Sequence, residues 1–246
     1  MRNLFLTLLL IALGCSAFGQ GSDDAGAATS SKLNDRHPEV AKRLDAATQT
    51  LKDIFAAPDK GIPSEMLSNA KCVVVIPGEK KAALGLGGSY GRGFATCRES
   101  NNGEAWSAPA PVFLGGGSFG AQIGGESGDI VMLVMNDKGT QKLLSSKFKV
   151  GVDASAAAGP VGRTAAADTN IKLDSEILTY SRAKGLFAGI DINGAEVKQD
   201  DSTTKDLYGN MVPFTQILNG QVRTPGPARE FVAEVHRDFA EARASN

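Results

Sequence analysis

Aromatic side chains, histidine and cysteine are all scarce in this chain, and no apolar run is long. Phe, Trp and Tyr make up 6% of 246 residues, too few for a surface that stacks nucleic-acid bases. The formal net charge is −1, whereas gripping a phosphate backbone wants a strong basic excess. Nucleic acid is therefore excluded as a partner. Two histidines, His37 and His236, and three cysteines without a second pair at zinc spacing give no reason to expect a metal. No G-x-x-x-x-G-K-[ST] phosphate loop occurs, and no cofactor is expected. The apolar run over 4–13 is about ten residues, short of the roughly 20 that a membrane span needs.

That run has another use. MRNLFLTLLLIALGCSAFGQ carries one positive charge at Arg2, then the apolar run, then small residues. This is the pattern of a secretory signal peptide over 1–19, cut before Gln20. Leu13-Gly14-Cys15 resembles part of a lipoprotein box, so Cys15 is either a lipid anchor or lost with the signal. Cleavage removes only Arg2 from the charge count, leaving 25 basic and 27 acidic residues. The expected location is exported, in the periplasm or at the envelope. There Cys72 and Cys97 either form a disulfide or remain two buried thiols.

Glycine is abundant. Twenty-one of the 29 glycines lie between Gly78 and Gly194, in runs such as GLGGSYGRG, GGGSFGAQIGG and GPVGR. Such runs, interleaved with Val, Ile, Leu and Phe, imply tight turns, bulges and close backbone packing. Residues 20–37 are small and polar and read as a flexible tether. Apolar residues at three- and four-residue spacing predict a helix over 38–57. Ser64 is placed to cap a short helix after it. Strands are predicted over 72–76, ended by Pro77-Gly78, and over 84–88, 91–98, 119–124, 129–136, 148–158, 177–181, 186–193 and 195–199. WSAPAPVFL reads as irregular, Asp137 as the cap of a short helix, Asn193-Gly194 as a hairpin turn, and Asp200-Asp201 as a solvated loop. Phe231, Val232, Val235 and Phe239 make the stripe of a C-terminal helix. The fold expected is α+β: a glycine-rich, mostly antiparallel sheet or partial barrel, with N- and C-terminal helices packed on it. No compositional break divides 38–243, so one domain is expected there.

Two G-x-S-x-G matches, at Ser89 and Ser118, imitate a hydrolase elbow, but neither is followed by a helical pattern. GGGSFG fails as a dinucleotide loop for the same reason. Arg92, Arg163, Arg182 and Lys184 stand inside glycine-containing runs, where a cation and bare backbone N–H groups suit a phosphate or other anionic headgroup. The alternative is that they pair with carboxylates such as Glu126, Asp153 or Asp191.

The ordered segments VVVIPGEKKAALGLGGSYGRG (73–93), WSAPAPVFLGGGSFGAQIGG (106–125), DIVMLVMN (129–136), VGVDASAAAGPVGR (150–163), YSRAKGLFAGIDINGAEV (180–197) and LYG (207–209) together resemble a SYLF domain over about 38–222. That family is known for binding phospholipid, and its yeast members for regulating actin. The resemblance implies an exported, non-enzymatic protein that recognises anionic phospholipid at an envelope membrane surface. Actin is not the expected partner of an exported member. The family also suggests that helix 38–57, with Lys42, Arg43 and Lys52, contacts the membrane; otherwise it packs on the core. The competing readings are a structural envelope protein that binds a protein partner or itself, and a serine hydrolase.

Overall fold

The computed structural model describes residues 36–56, 61–82, 88–99, 105–116, 128–162, 175–183 and 186–245. The signal, Cys15 and the tether up to residue 35 lie outside these residues, as do Arg163, Lys184, Ser118 and the strand expected over 119–124. Nine strands form one curled, mostly antiparallel sheet in the order β5-β9-β3-β2-β1-β4-β7-β6, with β8 on β7. They are β1 (Cys72–Ala82), β2 (Gly88–Cys97), β3 (Ala110–Gly115), β4 (Gly128–Val134), β5 (Lys147–Lys149), β6 (Ala156–Ala158), β7 (Ile177–Ala183), β8 (Leu186–Gly189) and β9 (Glu196–Gln199). The helices are α1 (Pro38–Phe55), α2 (Ser64–Asn69), α3 (Asp137–Leu144), α4 (Asp201–Tyr208), α5 (Phe214–Leu218) and α6 (Arg229–Ala244).

The apolar run Cys72–Ile76 is buried on both faces of the sheet, which is why it shows no polar alternation. Val73 and Val75 face the helices, whereas Cys72, Val74 and Ile76 face the inside of the curl. On the helix side α1 buries Val40, Leu44, Ala47, Leu51 and Ile54, a stripe of alternating four- and three-residue steps. Phe231, Val235 and Phe239 of α6 join it, with Phe231 5.9 Å from Phe94 and Phe239 4.8 Å from Trp106 between ring centroids. On the inner side Phe148, Ile192, Phe214, Ile217 and Leu218 close over the sheet. Each such side chain contributes about 1.5–3 kcal/mol by leaving water.

Several elements differ from the pattern in the sequence. Pro77-Gly78 does not end β1. It makes a bulge at which the register to β2 and β4 shifts, and the strand continues to Ala82. The bulge is pinned where the Gly78 N–H donates to Asp129 at 2.9 Å. The expected strand 91–98 belongs to β2, which already begins at Gly88, and residues 84–87 of the other expected strand lie outside the described residues. The segment that read as irregular contains β3, an interior strand whose character is masked by Pro109 just before it and Pro111 within it. Gly151, at φ 72°, breaks the expected strand 148–158 into β5 and β6. Asn193-Gly194 does turn, but β8 and β9 pair with other strands and not with each other. The cap of α3 is Asn136, whose side chain accepts from Gly139 N–H at 3.0 Å, one residue before the expected Asp137. Ser64 is the first residue of α2, after Pro63 at the cap position.

The strand ends that border the glycine runs share one end of the sheet. Ala82 pairs with Gly88, Tyr90 with Gly115, Glu79 with Gly128 and Ala183 with Leu186, so these strand ends lie together. Gly93 shows why glycine is needed beside the bulge: a Cβ there would come within 1.9 Å of the Val75 carbonyl oxygen. At the opposite end Cys72 and Cys97 are direct cross-strand partners and are joined by a disulfide.

Candidate functional site

Antiparallel partners stand side by side, with their side chains on the same face. Along β5–β9–β3–β2 the register therefore sets two rows. Lys147, Lys198, Phe113 and Arg92 form one, and Lys149, Glu196, Gly115 and Tyr90 form the next, closer to the glycine-run end. Phe148, Val197 and Leu114 lie between them and are buried on the inner face, so both rows point outward. Lys147, Lys149, Lys198, Arg92 and Tyr90 are exposed.

The face is built around Phe113. The Lys198 ammonium sits 5.2 Å from its ring centroid, a cation–π geometry. Its ring lies over Gly115, where a Cβ would come within 2.5 Å of Phe113 Cε1. Lys147 reaches Glu196 at 3.0 Å. Arg92 Nε reaches Asp200 Oδ2 at 3.3 Å, and a cavity of about 350 Å³ opens among Arg92, Phe113, Lys198, Asp200 and Ser202.

Asp200 is the correction to the solvated-loop reading. It is buried, and it caps α4 by accepting from Thr203 N–H at 3.2 Å, Thr203 Oγ1 at 2.7 Å and Ser202 Oγ at 2.8 Å. Burial works against its charge, but these hydrogen bonds and Arg92 outweigh it, and the carboxyl stays below the usual range. Arg43 of α1 shares this field. Burial, then the nearby Arg92, lowers its pKa against the pull of Asp200 and Glu39.

Of the four cations picked from the sequence, the two among the described residues, Arg92 and Arg182, do not converge. Arg92 belongs to this face. Arg182 lies on β7, three strand spacings or about 14 Å away along the sheet, and it pairs with Asp53 at 2.7 Å and Asp129 at 3.2 Å. In α1 the apolar stripe that a bilayer would need is packed on the core. Lys52 is engaged with Glu230 at 3.1 Å and Glu234 at 3.8 Å, and Lys42 is exposed. Lys147, Lys149, Lys198 and Phe113 were missed because register, not motif, brings them together. The one available signal was the alternation in KFK and EVKQ. Ser89 lies within β2, which runs on to Cys97, so no elbow forms there. A larger cavity, about 690 Å³, surrounds the disulfide. Its Lys71 is paired with Asp137 at 2.9 Å, and its Arg98 donates to the Ala70 carbonyl at 2.9 Å.

A curled sheet with helices over one part of its outer face and a strip of exposed lysines with Arg92 and Phe113 over the rest makes this an α+β domain. Residues 115–237 match the Ysc84 family, described as "Las17-binding protein actin regulator", and the chain belongs to that family. It is 33% identical over 171 residues to an SH3 domain-containing protein of Schizosaccharomyces pombe, covering 68% of this chain and 39% of that one. It is 29% identical over 178 residues to Protein YSC84 of Saccharomyces cerevisiae, covering 71% and 37%. It is 28% identical over 185 residues to SH3 domain-containing YSC84-like protein 1 of Mus musculus, covering 75% and 53%. The chain thus spans roughly two fifths to half the length of these relatives.

Proposed function

We propose that this is an exported, non-enzymatic lipid-binding protein that lays the outer face of β5–β9–β3–β2 on an anionic phospholipid membrane at the envelope. The observation that carries this reading is the two-row array: Lys147, Lys149, Lys198 and Arg92 on one solvent face, with Phe113 and Tyr90 among them. A formal net charge of −1 gives no general attraction, so a local patch has to supply it. Tyr90, 45% exposed, offers apolar contact at the headgroup level.

Vesicle flotation tests the reading, with phosphatidylglycerol vesicles against phosphatidylcholine vesicles. The protein floats with the anionic vesicles and is released by salt. Each basic residue near such a surface contributes about 1 kcal/mol. Replacing Lys147, Lys149 and Lys198 by Gln therefore weakens binding about a hundredfold. Binding that is absent at low salt, or unchanged in the folded triple variant, overturns the reading.

The family's description as a Las17-binding protein favours a second reading, in which the same face meets a protein partner. Cross-linking to protein with no requirement for lipid would distinguish it.

A further inference from the structure

We propose that His37, Glu39 and Asp206 form a binding site for a divalent cation of the zinc class, which clips the start of α1 to α4. The idea is independent of the membrane reading. His37 precedes the first turn of α1, and its side chain makes no capping hydrogen bond to that helix. Instead the imidazole Nδ1 faces Asp206 Oδ1 of α4 at 3.3 Å and Glu39 Oε1 at 3.9 Å. All three donor atoms lie within 4.8 Å of one another.

These spacings suit an ion. With metal–donor bonds of about 2.0–2.2 Å, tetrahedral geometry separates neighbouring donors by about 3.4 Å. The His37–Asp206 separation already matches. Glu39, 59% exposed at its side chain, can turn inward to close the shell from 3.9 Å of the imidazole nitrogen and from within 4.8 Å of Asp206. Two carboxylates beside one imidazole leave an excess of negative charge that a dication neutralises. One borderline nitrogen with two hard oxygens favours Zn²⁺, Ni²⁺ or Cu²⁺ over Ca²⁺, which takes oxygen alone. A water completes the shell.

Both supports are firm. Val40 anchors the first turn of α1 in the core, and α4 is held by its Asp200 cap and by buried Leu207. A site carried on helices holds its donors more closely than one on loops. The sequence hides the cluster, because Asp206 lies far along the chain from His37.

The test uses the full chain, stripped with chelator and titrated with Zn²⁺ alone. The composition makes the readout clean, since His37 and His236 are the only histidines. Calorimetry shows one equivalent bound, and imidazole NMR shows the His37 ring shifting while the His236 ring stays in place. His37→Ala and Asp206→Asn each weaken binding by at least about tenfold; His236→Ala does not. Zn²⁺ raises the melting temperature of the wild type and not that of His37→Ala. Melting in chelator checks that the variants are folded, and the wild-type NMR shift needs no variant. No saturable binding, a shift at His236 instead, or full binding by His37→Ala and Asp206→Asn overturns the proposal.

Discussion

Arg182 of β7 and Asp53 of α1 meet at 2.7 Å, and the same guanidinium reaches Asp129 of β4 at 3.2 Å. This couples the N-terminal helix to the sheet close to the glycine-run end. Asp129 in turn accepts the Gly78 N–H of the β1 bulge, so helix, bulge and two strands share one polar node. Arg182 is only about one quarter exposed, and removing it leaves two carboxylates facing each other. Arg182→Gln is expected to lower stability by about 2–3 kcal/mol, read by denaturant unfolding. Vesicle affinity of the folded variant should change far less than that of the Lys147, Lys149 and Lys198 triple variant.

The disulfide acts at the other end of the sheet. Cys72 and Cys97 are 25 residues apart in sequence, and a loop of that size corresponds to about 3 kcal/mol in the chain-entropy model. Unfolding midpoints with and without reductant should differ accordingly. The Cys72→Ser, Cys97→Ser double variant should match the reduced protein and show no further response to reductant.

Asp238 makes stability depend on pH. It is buried on α6 beside Glu234, which Arg237 hydrogen-bonds. Burial, and then the Glu234 charge, push the Asp238 carboxyl up to about 7. The folded state therefore holds a proton that the unfolded chain releases near pH 4. The Asp238 contribution is fullest below about pH 4 and declines as pH rises towards 7, whereas Asp200, held below the usual range, acts in the opposite direction in acid. Melting temperatures across that range should fall for the wild type and stay flatter for Asp238→Asn, which should be the more stable of the two at pH 8.

Gly93 tests the backbone crowding behind the bulge. Its missing Cβ leaves room for the Val75 carbonyl, which would otherwise stand 1.9 Å away. Gly93→Ala must move one of two central strands and should cost more than about 3 kcal/mol. Gly194→Ala, where no atom lies within 4 Å of the added methyl but φ is +83°, should cost about 1 kcal/mol. Thermal melting of the two variants separates crowding from conformational strain.

Local signals were legible wherever one short-range force dominates. The α1 and α6 stripes, the buried run Cys72–Ile76 and DIVMLVMN in β4 declared themselves through apolar spacing. Signals failed where a partner distant in sequence decides the outcome. Pro109 and Pro111 made β3 look irregular, yet pairing with β2 and β9 makes it an interior strand. Asp200 looked solvated because, although its capping partners Ser202 and Thr203 are local, its burial comes from Pro111 and Arg92, distant in the chain. Arg182 looked like a site cation because its partners are Asp53 and Asp129; neither was among the carboxylates weighed for it.

By itself the sequence determined the α+β class, the helices at either end and the glycine-rich character of the sheet. These follow from hydrophobic spacing and backbone freedom, which act over a few residues. Its ordered segments carried the resemblance to the family. Only the tertiary structure decided which charges are used inside the fold and which face water. Strand register placed Lys147, Lys198, Phe113 and Arg92 in one row, and helix packing brought His37 to Asp206. Both depend on contacts between segments far apart in the chain, and their energies appear only once those segments have met.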